Sequence, residues 1–247
     1  MKILFLDIET APNIATVWGM FKQYIAPNQL QDTSYTLCWA ASWYGEDEIY
    51  FDSVNQSTRK AMLKSIHAMI DEADVVVHYN GTKFDIPTLQ RDFLLHGLPP
   101  PAPFKQVDLL RTVRQQFRFA FNKMDFVAKQ LGLEGKTKHD GHQLWLDCMA
   151  GKQEAWDLME EYNIQDVIVL EELYEKLKGW IKIHPNHSVY SGEQVCPNCG
   201  GKHYQKRGTY VSSAGSYQRY QCKAKGCGKW FRDTKMVRVP DKFVPAN

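Results

Sequence analysis

The sequence lacks an apolar run of the roughly 18 residues that a membrane-spanning helix requires, so we expect no membrane span. Its apolar start, MKILFL, is cut short by Asp7 and Glu9, which argues against a secretory signal peptide. No internal repeat or low-complexity segment is present. Cysteine is scarce, with 6 among 247 residues, and four of them form two close pairs. That spacing suits a reducing compartment, so we predict a cytoplasmic protein.

The chain as a whole also lacks a strong charge of either sign, because its formal net charge is only +2. This balance hides two oppositely charged parts. Residues 193–247 contain 11 Lys or Arg and 3 Asp or Glu, a net charge of +8, so the other 192 residues carry −6. We therefore predict two domains, 1–181 and 195–247, joined by a linker at 182–194 that shows no hydrophobic periodicity.

Four acidic residues stand out in three separate segments of the first domain: Asp7 and Glu9 in LFLDIET, Asp85 in HYNGTKFDIP, and Asp166 in YNIQDV. The first segment predicts a strand, on which residues two apart point to one face. The second predicts a strand-to-helix junction, because Pro87 suits the first turn of a helix. The third lies in a predicted long helix, 154–178.

Carboxylates that converge in this way require cations. Two carboxylates about 4 Å apart repel by roughly 4 kcal/mol at an effective dielectric constant of about 20. Oxygen ligands favour Mg²⁺ or Mn²⁺ over Zn²⁺. Two such ions can activate a water and stabilise the leaving oxygen of a phosphoryl displacement. The acidic segments therefore predict a nuclease that uses two Mg²⁺ or Mn²⁺ ions.

The chain resembles the DEDD superfamily of 3'-to-5' exonucleases in three segments, which occur in the family's order: LDIET, HYNGTKFD and YNIQD. The resemblance spans most of residues 1–180 and implies an α/β fold, a ribonuclease H-like mixed sheet flanked by helices. It also implies that the metal ligands are Asp7, Glu9, Asp85 and Asp166. A tyrosine four residues before the last acid, Tyr162, with Glu161 where the histidine type has histidine, is typical of the tyrosine type.

Four other residues receive roles from this resemblance. A phenol is a poor general base at neutral pH, so Tyr162 is expected to orient the attacking water; packing on a helix face is the alternative. Asn80 is interpreted as a substrate contact or, alternatively, as a turn residue. Thr10 and Ala11 are expected to lie against the terminal nucleotide.

The remaining elements of the first domain follow from aromatic, β-branched and amphipathic patterns. A hairpin is predicted from strands at 36–44 and 48–54, followed by a helix at 59–70 and a strand at 74–79. A fifth strand is predicted at 107–110.

The second domain carries two cysteine pairs that suit a tetrahedral structural Zn²⁺ site: Cys196, Cys199, Cys222 and Cys227. The second pair has four intervening residues instead of the commoner two. Short strands are predicted at 205–210 and 217–221, so the segment resembles a zinc ribbon, including those of some transposases. Its cations and aromatic rings predict nucleic-acid binding, with a solubilising surface as the alternative.

Together these patterns predict a metal-dependent 3'-to-5' exonuclease that releases nucleoside monophosphates, with single-stranded DNA as the favoured substrate. RNA is the nearest alternative, and a catalytically silent nucleic-acid-binding protein is a third interpretation. No polymerase region is present, so a proofreading role would require a separate polymerase, and a repair partner is equally open.

Overall fold

A computed structural model describes residues 1–134, 141–213 and 215–238. The chain forms two compact units. One comprises Lys2–Leu173, and the other comprises Met1 together with Tyr174–Asn247. Each unit is described by itself.

The first unit is built on a five-stranded mixed sheet with the order β5-β4-β1-β6-β7. Its strands are β1 (Ile3–Thr10), β4 (Thr36–Trp43), β5 (Ile49–Ser53), β6 (Val75–His78) and β7 (Lys105–Asp108). The central strand β1 pairs antiparallel with β4 and parallel with β6. Two short strands that lie between β1 and β4 in the sequence form a separate two-stranded sheet: β2 (Ile14–Ala15) and β3 (Leu30–Asp32).

Helices pack on both faces of the sheet. They are α1 (Arg59–Glu72), α2 (Asp85–Leu95), α3 (Leu109–Gln116), α4 (Met124–Gln130), α5 (His142–Met149) and α6 (Gln153–Leu177). The predicted mixed α/β sheet flanked by helices is confirmed. None of the helices in the described ranges combines the length and hydrophobicity that crossing a bilayer requires.

The alternation of side chains along β1 divides the core into two layers. Leu4, Leu6 and Ile8 pack with α1 and α2 in one buried cluster. A second buried cluster contains Met159 and Tyr162 of α6 together with residues of β4 and α5. The acidic residues of β1 alternate with the leucines, so they occupy the opposite face of the strand.

The predicted fifth strand at 107–110 was displaced. The observed strand β7 begins two residues earlier and ends at Asp108, whose carboxylate accepts a hydrogen bond of 3.3 Å from the backbone N–H of Arg111. This contact caps α3, which therefore begins at Leu109. Leu109 and Leu110, which the prediction placed in the strand, are the first buried residues of α3.

The second unit contains a three-stranded antiparallel sheet with the order β10-β9-β8. Its strands are β8 (Tyr204–Val211), β9 (Ser216–Cys222) and β10 (Trp230–Arg238), and α7 (His187–Ser191) precedes them. The two predicted strands are present, whereas β10 was not predicted. The segment 182–194 is also more regular than expected, because the Asn186 side chain caps α7 by accepting a 3.0 Å hydrogen bond from the Ser188 N–H.

Candidate functional site

Three of the four predicted acidic residues come together in space. Asp7 and Glu9 on β1 and Asp166 on α6 each offer a carboxylate oxygen, and these oxygens all lie within 4.8 Å of one another. Asp166 is only 2% exposed. Strand periodicity places the first two acids on one face, and α6 brings the third to them. We call these three residues the carboxylate cluster.

Asn163 supports the cluster from α6. Its Nδ2 donates a 2.8 Å hydrogen bond to Oδ2 of Asp7, and the residue is 0% exposed. Its Oδ1 is buried without a hydrogen-bond partner among the described residues. The sequence patterns above did not single out Asn163. The available signal was its position three residues before Asp166, which places both side chains on one face of the helix.

Asp85 lies next to the cluster but is not a member of the set within 4.8 Å. It is the first residue of α2, as the predicted strand-to-helix junction required, and its Oδ1 accepts a 3.2 Å hydrogen bond from the backbone N–H of Ile8. Burial raises the pKa of the Asp85 carboxyl to about 7. A buried carboxyl with such a pKa becomes fully ionised at neutral pH only when positive charge is nearby.

These observations fit divalent cations. The donors are all carboxylate oxygens, which hard cations such as Mg²⁺ and Mn²⁺ prefer. Three carboxylates within 4.8 Å repel one another when no cation is bound, and Asp85 adds a fourth acid whose ionisation burial opposes. The residues present therefore fit a divalent metal ion.

Tyr162 is 7% exposed and belongs to the buried cluster on the α6 side of the sheet. Its ring meets that of Trp145 edge to face, with 6.0 Å between centroids. Ala11 is 1% exposed in the same cluster, and its N–H donates a 2.8 Å hydrogen bond to the carbonyl of Tyr35. Thr10, at the end of β1, is partly exposed. Contact of Thr10 and Ala11 with a nucleotide stays a prediction.

Asn80 lies in a strained turn after β6. Its φ of 74° is in the left-handed region, and its N–H donates a 3.1 Å hydrogen bond to Oδ1 of Asp108. The following residue must be glycine, since a Cβ on Gly81 would come within 2.4 Å of the His78 ring. The Gly81 N–H instead donates to Nδ1 of His78 at 3.0 Å. Strain held by several contacts at one position is typical of functional sites.

An open cavity of about 620 Å³ adjoins this turn and the carboxylate cluster. Asp7 and Asn80 line it, together with Arg114, Phe121 and Lys123. The Phe121 side chain is 64% exposed. The cavity therefore combines acids, two cations and two aromatic rings, those of Phe121 and Tyr79, which suits a nucleotide with its phosphates.

The part of the cavity wall formed by Arg114, Phe121 and Lys123 was likewise not predicted from the sequence. The signal was present in RQQFRFAFNK (114–123), where basic residues alternate with three phenylalanines. The phenol of Tyr79, the residue after β6, donates a 2.7 Å hydrogen bond to the carbonyl of Asn122. That bond ties the segment to the sheet beside Asn80.

The second unit brings the four predicted cysteines together. The Sγ atoms of Cys196, Cys199, Cys222 and Cys227 all lie within 4.8 Å of one another. Two of these separations are 3.8 Å and 3.6 Å. Both are much longer than a disulfide bond of about 2.05 Å. Both agree with the S···S distance of ~3.8 Å that a tetrahedral site with Zn–S bonds of about 2.3 Å requires.

Backbone turns shape this cysteine site. The Cys196 N–H donates to the Gly201 carbonyl at 2.9 Å, and the Gly200 N–H returns a 2.9 Å bond to the Cys196 carbonyl. The longer second pair is closed by a 3.2 Å bond from the Cys227 N–H to the Ala224 carbonyl. Four intervening residues are therefore accommodated by a turn that still converges the two thiols. Four thiolates in this arrangement suit a structural zinc ion.

The other two cysteines belong to the core of the first unit. Cys38 and Cys148 lie in the buried cluster on the α6 side of the sheet. Burial raises the pKa of the Cys38 thiol well above its ordinary value, with the charges of Glu9 and Asp7 adding to the shift. Such a thiol stays neutral and packs as a small hydrophobic side chain.

Cations and rings share the sheet of the second unit. The Arg232 guanidinium lies 4.0 Å from the centroid of Tyr217, and Arg219 lies 4.8 Å from that of Trp230. Trp230 is 48% exposed and Tyr210 is 45% exposed. The predicted combination of positive charge and exposed aromatic surface is therefore present on the cysteine-bearing unit.

Comparisons with known proteins bear on the first unit. A family model described as the RNase_H superfamily matches residues 4–178. Among solved structures, the chain is similar to the family B DNA polymerase from the hyperthermophilic archaeon Pyrobaculum calidifontis, with a TM-score of 0.53 and 20% sequence identity. That match covers 71% of this chain and 24% of the polymerase chain. At this identity the likeness concerns the fold. No curated protein matches the chain.

Proposed function

The chain belongs to the RNase H superfamily, and on that premise we propose that it is a metal-dependent 3'-to-5' exonuclease acting on single-stranded DNA. The single observation that carries the proposal is the convergence of Asp7, Glu9 and Asp166 within 4.8 Å on one side of a matching fold. The proposed products are nucleoside monophosphates.

The proposed organisation keeps an exonuclease domain at 1–181, a linker at 182–194 and a zinc ribbon at 195–247. We propose that a structural Zn²⁺ is held by the four thiolates and that the location is the cytoplasm. A separate polymerase or repair protein would be the partner that sets the pathway.

The carboxylate cluster and Asp85 would hold two Mg²⁺ or Mn²⁺ ions. When bound, these ions would lower the pKa of an attacking water and stabilise negative charge on the leaving 3' oxygen. The protein's own contribution is alignment. Strand β1 fixes two carboxylates two residues apart, and Asn163 holds the orientation of Asp7 through its 2.8 Å hydrogen bond.

We propose that Tyr162 orients the attacking water through its phenol. Its location four residues before Asp166 on α6 supports this role, and a phenol, whose unperturbed pKa is about 10, is a poor base at neutral pH. Arg114 and Lys123 would bind phosphates of the strand in the cavity beside Asp7, and Phe121 would contact a base there.

The catalytic proposal is tested with a 5'-labelled single strand in Mg²⁺ or Mn²⁺. We expect a ladder that shortens from the 3' end, and no ladder for Asp7→Ala or Asp166→Ala. Asp157→Ala is the matched control, since Asp157 is an exposed acid on the same helix. Wholly internal cuts would refute exonuclease action, and an active Asp166→Ala would remove that residue from the site.

The proposed nucleic-acid-binding role of the zinc ribbon is tested by removing positive charges from it. Lys206 and Arg207 are exposed on β8, and we propose that they contact phosphates. Lys206→Gln with Arg207→Gln should lower the slope of log Kd against log salt by about 0.7 per lost contact. Lys64→Gln, an exposed cation on α1, is the control. An unchanged slope would assign the ribbon another role, such as protein binding.

A further inference from the structure

The segment between β1 and β4, residues 12–35, carries the most exposed aromatic surface in the described part of the chain, and we call it the arm. Trp18 is 100% exposed, Phe21 89% and Tyr24 86%. Met20 is 85% exposed beside them. Large rings that contact water to this extent in a folded protein indicate a binding surface.

Hydrogen bonds between Thr16 and Gln29 join the two ends of the part of the arm that carries the rings, and we call this pair of residues the neck. Backbone bonds link Thr16 N–H to the Gln29 carbonyl at 3.0 Å, and the Gln29 side chain donates back to the Thr16 carbonyl at 3.0 Å. Strands β2 and β3 pair below this point. The rings are therefore presented beyond a hydrogen-bonded neck, on residues that belong to no strand or helix.

The base of the arm lies at the carboxylate cluster. Strand β1 carries Asp7 and Glu9 and ends at Thr10, and the arm begins two residues later. The Ala11 N–H closes the base by donating a 2.8 Å hydrogen bond to the Tyr35 carbonyl. The arm thus rises from the end of the strand that bears the proposed catalytic acids.

The charge of the arm distinguishes it from the rest of its domain. No Asp or Glu occurs between Thr10 and Gln31, and Lys22 supplies one positive charge between Phe21 and Tyr24. The first 192 residues otherwise carry a net charge of −6. A polyanion approaching the acidic body would therefore meet no like charge along residues 11–30, and the one acid of the arm, Asp32, pairs with Ile14 in the small β2–β3 sheet. The three most exposed large apolar side chains of the arm are aromatic, and every nucleobase has a face that can stack on a ring.

The rings are exposed, hydrogen bonds between Thr16 and Gln29 hold the segment that carries them, the arm begins at the end of β1, and residues 11–30 contain no acid. From these observations we propose that the arm binds single-stranded nucleic acid by stacking bases on Trp18, Phe21 and Tyr24. The stacked bases would lie upstream of the 3' end that enters the carboxylate cluster. This last placement rests on the proposed function, whereas the stacking itself does not. The arm would hold a strand against the repulsion of the acidic body.

The experiment compares two fluorescent 12-nucleotide probes, oligo(dT) and an abasic strand with the same phosphates. Binding is measured by anisotropy in the full-length Asp166→Ala background, which prevents hydrolysis. The test variant adds Trp18→Ser, Phe21→Ser and Tyr24→Ser. The matched control adds Leu94→Ser and Leu95→Ser, which remove apolar residues that are 77% and 73% exposed on α2.

We expect the test variant to bind oligo(dT) at least about tenfold more weakly, while its affinity for the abasic strand stays the same. The α2 control should match its parent on both probes. Unchanged oligo(dT) affinity would overturn the proposal, as would an equal loss on both probes. If the parent is a dimer that the arm substitutions dissociate without change in DNA binding, the arm is a protein interface and the proposal fails.

The two proposals fail separately. If the arm substitutions abolish oligo(dT) binding but the protein never degrades DNA, the stacking proposal stands and the exonuclease proposal fails. If the protein degrades DNA but binds it independently of the arm, the exonuclease proposal stands and the stacking proposal fails.

Discussion

Replacing Asn163 by alanine should weaken metal use without unfolding the protein. Asn163 is fully buried on α6 and donates a 2.8 Å hydrogen bond to Oδ2 of Asp7. The substitution leaves every proposed ligand in place. It removes only the contact that fixes the direction of one carboxylate.

The magnitude follows from the nature of this bond. A buried hydrogen bond to a charged acceptor contributes about 1.5–3 kcal/mol. If this hydrogen bond stabilises the metal-binding orientation of Asp7 by that amount, losing the bond raises the Mn²⁺ concentration for half-maximal activity roughly 10- to 100-fold. The cost to folding should stay below about 2 kcal/mol, because the substitution also removes Oδ1, which is buried without a partner among the described residues.

The assay is initial rate of strand shortening against Mn²⁺ concentration at saturating DNA. Asn163→Ala should shift the curve to higher Mn²⁺ while the maximal rate recovers most of its value. Gln153→Ala is the control, because Gln153 is an exposed amide on the same helix that bonds Asp157. A superimposable Mn²⁺ curve for Asn163→Ala would refute the positioning role, and a lower maximal rate at unchanged Mn²⁺ dependence would point to loss of folded protein instead.

Three further predictions concern stability. Gly81→Ala should destabilise the first unit by about 1–3 kcal/mol in a denaturant titration, because its Cβ would come within 2.4 Å of His78; an unchanged midpoint would contradict the geometry. Burial lowers the pKa of His78 below its ordinary value of 6.5, so the unfolded chain binds a proton at a higher pH than the folded chain does. The contribution of His78 to the free energy of unfolding should be complete above pH 6.5 and decrease as the pH falls below it. A His78→Gln variant with the same pH dependence of stability would contradict the assignment of this effect to His78. Chelation of zinc should abolish the near-ultraviolet circular dichroism of the ribbon tyrosines and release about one zinc per chain; a zinc-free sample with native spectra would contradict a structural metal.

Periodicity was sufficient to predict the elements that position the acids. Alternation along β1 placed Asp7 and Glu9 on one face, and helical spacing placed Asp166 on the long helix that α6 forms. Both signals are local, since they depend only on how side chains project from one element. The two cysteine pairs could also be predicted from local spacing, because each pair is closed by its own turn.

Contacts between distant segments could not be predicted in this way. The bond from Asn163 to Asp7 joins residues 156 positions apart, and no periodicity in either segment encodes it. Likewise, Tyr79 bonds the carbonyl of Asn122, which brings Arg114 and Lys123 to the cavity wall. Strand β10 was missed because its pattern in WFRDTKMVR mixes apolar and charged residues without clean alternation.

Whether these carboxylates form a metal centre is decided by titrating the metal-free carboxylate site with Mn²⁺ in zinc-loaded protein, followed by electron paramagnetic resonance. We expect about two Mn²⁺ ions to bind per chain, and Asp7→Ala or Asp166→Ala to abolish at least one of them. The Asp157→Ala control should bind as the parent does. Mn²⁺ binding that is absent, or that persists unchanged in both cluster variants, would contradict the assignment of these carboxylates as a metal centre.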